Sequence, residues 1–271
     1  MKKILSAAVA ALALVACNST TTPTPATTPA TTPATGSGAT TTTPATGTGA
    51  TTTTAATGAK STLSATVAFT GTAPVAKKLN KDADAFCGKT PGTDEEVLVK
   101  DGKLANVMVR VTKGADGKFD APAKAAEIDQ TGCMYRPRVV GVVAGQDITI
   151  KSNDDTTHNV HTYKGEESLF NRAQNKGEFT KKSSDLKTDN GAITFKCDIH
   201  PWMTGYVIVN PNPYFAVTDA TGLAKLDLPA GKYTVEAWHE KFGTKTAEVT
   251  VEAGKPAEVK FEYAGSEKPA M

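Results

Sequence analysis

The stretch Cys197-Asp198-Ile199-His200-Pro201-Trp202-Met203 sets a thiol, an imidazole and a thioether at intervals of three residues. A thiolate and a thioether are soft donors that suit Cu(I), imidazole suits either oxidation state, and two His with one Cys and a weak axial Met form a copper ligand set. The turn supplies three of these donors and needs a second imidazole from elsewhere. Upstream, the apolar run Asp147–Ser152 leads into Thr156-Thr157-His158-Asn159-Val160-His161, which offers His158. Singly, Cys197 reads as a buried thiol or half a disulfide, the histidines as surface groups and Met203 as core; the combination reads as a mononuclear copper site. Zinc competes, but a structural zinc site takes four strong donors and Met is a poor one. Asp198 could replace it only by turning inward. His161, three residues past His158 on a strand, points to the opposite face. His239, with no Cys nearby, reads as packing.

Working outward, the chain beyond Lys60 is made of short runs rich in Val, Ile, Thr and Phe, punctuated by Gly, Pro and Asp. Ile193, Phe195 and Cys197 fall on one face and Thr194 and Lys196 on the other, the period of a half-buried strand. Twelve such strands are expected, the first at Leu63–Phe69, one unbroken strand at Leu104–Val111 and the last at Glu258–Tyr263. The fold class is therefore all-β, built of sandwiches. Only Ala121–Glu127 is read as a helical turn, and Lys164–Asn190 as a long loop without a pattern of its own.

The His158 and Cys197–Met203 segments together resemble the two copper-binding halves of cupredoxins, blue type 1 copper proteins of the amicyanin and plastocyanin kind. The Cys-x2-His-x2-Met loop followed by Gly205 and an apolar strand, and His158-Asn159-Val160-His161, carry the likeness over roughly Glu127–Asn210. The resemblance implies a Greek-key sandwich in which His158, Cys197, His200 and Met203 ligate one copper ion. It also implies that Asn159 pins the ligand loop beside the sulfur and that the loop imidazole, His200, lies near the surface. The departure from the family pattern is the Lys164–Asn190 insertion, which would lie near the site and bears on solvent access.

At the other end, Met1-Lys2-Lys3 and the apolar Ile4–Ala16 read as a signal peptide. Leu14-Val15-Ala16-Cys17 resembles the lipobox of bacterial lipoproteins, which makes Cys17 the lipidated residue and places the protein outside the cytoplasm on a membrane surface. Asn18–Ala59 is nearly all Thr, Pro, Ala, Gly and Ser, unable to offset its ordering entropy by burial, and serves as a tether. As a flexible coil it would reach roughly 35 Å. With 30 Lys and Arg against 28 Asp and Glu, the net charge of +2 gives no basic surface for nucleic acid.

Setting Cys17 aside leaves three cysteines. If Cys197 holds copper, Cys87 and Cys133 are the pair for a disulfide, which a cell-envelope location permits; the alternative is a second metal site, though neither is flanked by ligand-spaced histidines. Beyond Pro211, Ala216-Val217-Thr218-Asp219-Ala220-Thr221-Gly222 and Leu226–Val235 with Pro229-Ala230-Gly231-Lys232-Tyr233 resemble the carboxypeptidase regulatory-like, transthyretin-like module, a small non-catalytic β domain. It is short for a full sandwich, and the strands near Ala65–Phe69 and Leu104–Val111 read as its missing opening. The copper domain is then inserted into, or packed on, a split module. The divisions are 1–17 signal, 18–59 linker, 60–124 N-terminal β segment, 125–210 copper domain, 211–264 β module and 265–271 tail.

The leading functional expectation is a membrane-anchored one-electron carrier with a redox partner protein, a cytochrome or an oxidoreductase. Copper delivery and a non-redox envelope scaffold are the alternatives. An enzyme is not expected: Lys196 stands beside Cys197 where a multicopper site would place a His, the loop has no second Cys for a binuclear centre, and no hydrolase or phosphate-binding motif occurs.

Overall fold

Runs of Val, Ile, Thr and aromatic residues in which alternate side chains can reach a core settle as strands. The computed structural model describes residues 59–188 and 190–268; Cys17, the signal segment and the linker up to residue 58 lie outside the described residues. Four strands come first: β1 (Ser61–Phe69), β2 (Val99–Lys100), β3 (Lys103–Leu104) and β4 (Met108–Lys113). Nine follow: β5 (Ala126–Gln130), β6 (Tyr135–Arg136), β7 (Val139–Val143), β8 (Asp147–Ser152), β9 (His158–Lys164), β10 (Glu167–Gln174), β11 (Gly177–Lys182), β12 (Gly191–Lys196) and β13 (Thr204–Asn210). Five close the chain: β14 (Phe215–Val217), β15 (Leu223–Leu228), β16 (Gly231–His239), β17 (Gly243–Val251) and β18 (Ala257–Tyr263). The described residues are all-β, in agreement with the pattern.

The central nine strands form two sheets, ordered β10-β9-β12-β13-β7 and β11-β8-β5-β6. Ile128, Tyr135, Ile148, Ile150, Val160, Ile193, Phe195 and Val207 fill the space between them. The first and last groups of strands make a second sandwich from both sides of this domain in sequence. β1 pairs antiparallel with β15, Ser61 opposite Leu228, and parallel with β18, Leu63 opposite Ala257. β4 lies between β14 and β16 in the facing sheet. The turn Asp219–Gly222 joins these halves locally: Gly222, at φ +68°, accepts the Val67 N–H through its carbonyl, and a Cβ there would lie 2.5 Å from the Val67 oxygen. Only glycine fits so close an approach.

The two sandwiches share a small apolar cluster of Met108, Val139 and Ile208, with Tyr206, Phe215 and Trp238 packed against it. Beside it Arg138 donates to both carboxylate oxygens of Glu240, Nε to Oε1 at 2.5 Å and Nη2 to Oε2 at 2.7 Å. The pair is almost fully buried.

Three expectations are corrected. Ala121–Glu127 forms no helical turn; the chain there is irregular, with a bend at Ala123 and Lys124, and β5 starts at Ala126 because it pairs in parallel with β8. Leu104–Val111 is not one strand, since Asn106 at φ +59° breaks β3 from β4. The Lys164–Asn190 insertion is mostly strand: β10 extends one sheet along β9, and β11 crosses to pair with β8 in the other. Its polar outer face hid it, for these are edge strands that turn only Leu169, Phe170 and Phe179 toward the core among their large apolar side chains.

Candidate metal centre

β9 and β12 are neighbours in one sheet, with Lys196 opposite His161, so the start of β9 and the end of β12 reach the same edge of the sandwich. His158 opens β9, Cys197 follows β12 directly, and the turn to β13 carries His200 and Met203. That turn closes on itself: the Met203 N–H donates to the His200 carbonyl at 2.9 Å. Behind it Gly205 packs against Tyr135, whose Cβ would lie 2.9 Å from any added side chain.

All four expected ligand side chains are buried. The Nδ1 atoms of His158 and His200 face one another at 2.9 Å, and Cys197 Sγ lies 4.0 Å and 3.6 Å from them. His158, Cys197 and His200 thus converge as a three-donor group. Met203 packs in the same buried cluster as Cys197.

Each imidazole has a carboxylate behind it. His158 Nε2 lies 3.0 Å from Asp154 Oδ2, and Asp154 is itself held by the N–H groups of Gly132 and Cys133 at 2.7 and 2.8 Å. His200 Nε2 lies 3.4 Å from Asp84 Oδ2. A proton kept on Nε2 by a carboxylate leaves Nδ1 as a lone-pair donor. Two such lone pairs and a sulfur, buried and turned on one another, need a cation between them, so the residues fit a copper ion. Burial opposes the charge on His158, yet Asp154 and Cys197 outweigh it and raise its pKa to about 9. Burial likewise opposes the Cys197 thiolate, but His158 and the N–H groups of Asn159, His200 and Ile199 bring its pKa below the usual thiol value. His200 is shifted down by burial and by the His158 charge.

Asn159 clamps the loop from three directions. Its N–H points at Cys197 Sγ at 3.4 Å, its Oδ1 accepts the Asp198 N–H at 2.7 Å, and its Nδ2 donates to Asp198 Oδ2 at 2.7 Å. Asp198 is therefore turned outward, toward His161 Nδ1 at 2.9 Å, and His161 stands on the face away from the donors. His239 lies in the second sandwich, buried and stacked on Phe242.

The expectation that His200 lies near the surface is corrected: it is 1% exposed. The cause is the segment between β1 and β2, whose short 3-10 turn Cys87–Lys89 is joined to Cys133 by a disulfide with Cα atoms 5.6 Å apart. Cys87 Sγ sits 3.6 Å from His200 Nε2. Lys81 Nζ and Thr90 Oγ1 both donate to the Gly132 carbonyl, and Trp202 Nε1 donates to the Cys133 carbonyl at 3.0 Å. Ile199 and Pro201, flanking the covered imidazole, remain exposed. Sequence reasoning missed Asp84 and Asp154. Asp154, four residues before His158, carried a weak signal of proximity; Asp84 carried none.

Residues 122–210 match the family model described as copper binding proteins, plastocyanin/azurin family. Among curated proteins no significant relative is found. Similar solved structures include a purple cupredoxin from Nitrosopumilus maritimus, at 23% identity over 31% of this chain and 98% of that one, TM-score 0.27. Amicyanin from Paracoccus versutus is 25% identical over 37% of this chain and 96% of its own, TM-score 0.28. A Cu-containing nitrite reductase from Thermus scotoductus is 19% identical over 35% of this chain and 24% of its own, TM-score 0.28. The family match and the converging donors agree on one segment: residues 122–210 form a cupredoxin domain whose cofactor is a single copper ion.

Proposed function

We propose that this protein is an extracytoplasmic one-electron carrier, held to a membrane by a lipid on Cys17 and passing electrons between a donor and an acceptor protein. The convergence of the His158, Cys197 and His200 donor atoms in a buried, prearranged group carries the reading. Copper, when bound there, supplies the change of one charge. The chain's own residues hold the donors in place: Asp154 and Asp84 behind the imidazoles, Asn159 beside the sulfur. Side chains that need not move when the charge changes keep the barrier to electron exchange low.

Burial of every ligand also favours retention over copper delivery, which would require ligands to reach a recipient protein. The short way out runs by His200 to the half-buried Trp202 ring, 5.2 Å between centroids, and to the exposed Ile199 beside it. A rim of this kind suits brief contact with a partner. The reading of the second sandwich as a carboxypeptidase regulatory-like module fits a role as a mount for the copper domain.

The test is to add Cu(II) to the purified chain and record the visible and paramagnetic resonance spectra beside a Cys197→Ser variant. An intense thiolate-to-copper band in the wild type that is lost in the variant is the expected result. Identical copper binding by both would overturn the reading. Cys17→Ala should move the protein from the membrane fraction to the soluble fraction without altering the band.

A further inference from the structure

His200 is held from outside the copper domain. Its Nδ1 belongs to the donor group, while its Nε2 faces Asp84 Oδ2 at 3.4 Å and Cys87 Sγ at 3.6 Å. Both come from a segment that precedes the domain by some forty residues in sequence and that lacks a strand ladder with it.

Asp84 is fixed before it meets the imidazole. Its Oδ1 accepts the N–H groups of Phe86 and Cys87, both at 2.8 Å, and its Oδ2 accepts the Thr156 hydroxyl at 2.7 Å. The turn around it is fixed as well, by the Cys87–Cys133 disulfide and by Lys81 and Thr90 on the Gly132 carbonyl. A carboxylate so constrained cannot swing away, and it keeps its charge 3.4 Å from His200 Nε2. Asp154 stands closer behind His158, hydrogen-bonded at 3.0 Å, so both nitrogen donors have a carboxylate on the far side of the ring, one from within the domain and one, in looser contact, from the added turn.

Resting on the copper reading above, we propose that Asp84, carried on the disulfide-anchored turn, is a positioning residue of the metal centre that orients the His200 ring and favours Cu(II) over Cu(I). The orientation follows because a proton held on Nε2 leaves Nδ1 facing the metal position. The oxidation-state preference follows because a fixed negative charge behind a ligand stabilises the more positive ion, and the covered, water-poor position strengthens the interaction.

Asp84→Asn is the informative variant. Oδ1 can keep its bonds to Phe86 and Cys87, which preserves the turn, while the amide group then meets the His200 N–H with a donor and no charge. Partners of this kind are worth about 10-fold to 100-fold in metal affinity. The expected result is Cu(II) affinity about tenfold weaker with Cu(I) affinity unchanged, equivalent to a reduction potential higher by about 59 mV. In the copper-free chain, nitrogen NMR should find His200 as the Nε2–H tautomer in the wild type and as a mixture in the variant. Asp84→Ala should reproduce both effects.

A variant that keeps wild-type potential and tautomer overturns the proposal while the wild-type visible band leaves the copper reading standing. A wild-type chain without that band overturns the copper reading and the proposal together.

Discussion

Replacing Glu240 by Gln tests whether the two sandwiches unfold as one body. The Arg138 and Glu240 side chains are 7% and 4% exposed and meet through two parallel contacts at the junction. Burial pushes the Glu240 carboxyl above its ordinary value despite its partner, so desolvation of this pair is severe. Removing one member strands the Arg138 charge in the junction, at a cost of about 3–5 kcal/mol. At about 2–4 °C per kcal/mol for a body of this size, the melting temperature should fall by about 10 °C. The assay is urea unfolding of the copper-loaded protein, followed both by the visible band and by fluorescence of Trp202 and Trp238, one in the copper domain and one at the junction. The two signals should change together in the wild type and in the variant, with the slope against urea unchanged and the midpoint lowered. The double change Arg138→Met with Glu240→Leu should recover most of the loss, because the charge and its partner leave together. A loss below about 1 kcal/mol, or colour and fluorescence that separate in the wild type, would refute a junction that couples the two bodies.

Acid should weaken the second sandwich through His239. Burial, then the charges of Arg138 and Lys241, lower its folded pKa to about 4, so between there and the unfolded value near 6.5 the unfolded chain binds the extra proton. Stability is thus full above pH 6.5 and declines by about 3 kcal/mol as the pH falls to 4; urea midpoints at pH 7 and pH 4.5 should differ less for His239→Gln. Reducing the Cys87–Cys133 disulfide, which closes a separation of 46 residues, should cost about 4 kcal/mol by loop-closure entropy. Calorimetry with and without a phosphine reductant measures it, and unchanged melting would count against the disulfide as an anchor of the turn.

The parts of the site that were readable in the sequence are those whose chemistry is local. Cys197, His200 and Met203 lie within one turn, and their donor types restrict the metal whatever surrounds them. His158 was readable because a strand pattern led into it and the loop demanded a second imidazole. Strands with one apolar face, such as Leu63, Ala65, Val67 and Phe69 on β1, announced themselves by alternation. β10 and β11 did not, because edge strands with solvent on most sides need little apolar periodicity. The cover over His200 was hidden for a different reason: Asp84 meets it across more than a hundred residues, and no spacing rule connects them.

That distance explains why the covering turn is built as it is. Between β1 and β2 the chain leaves its own sandwich, and among the described residues it forms there only the short 3-10 turn and an isolated bridge between Lys78 and Thr93. Without a ladder to pay for ordering it, such a segment would wander at the cost of about 1–2 kcal/mol of backbone entropy for every residue fixed. The disulfide removes much of that freedom before folding, and the Asp84 cap on Phe86 and Cys87 and the Lys81 and Thr90 contacts hold what remains. The same contacts bring Cys87 and Asp84 against a ligand imidazole. Both ends of the covering segment return to β1 and β2, so the second sandwich is more than a neighbour of the copper domain. Through the turn at His200 and through Arg138–Glu240 beside β7, it braces the copper domain at two separate places, and a change in either brace should reach the metal.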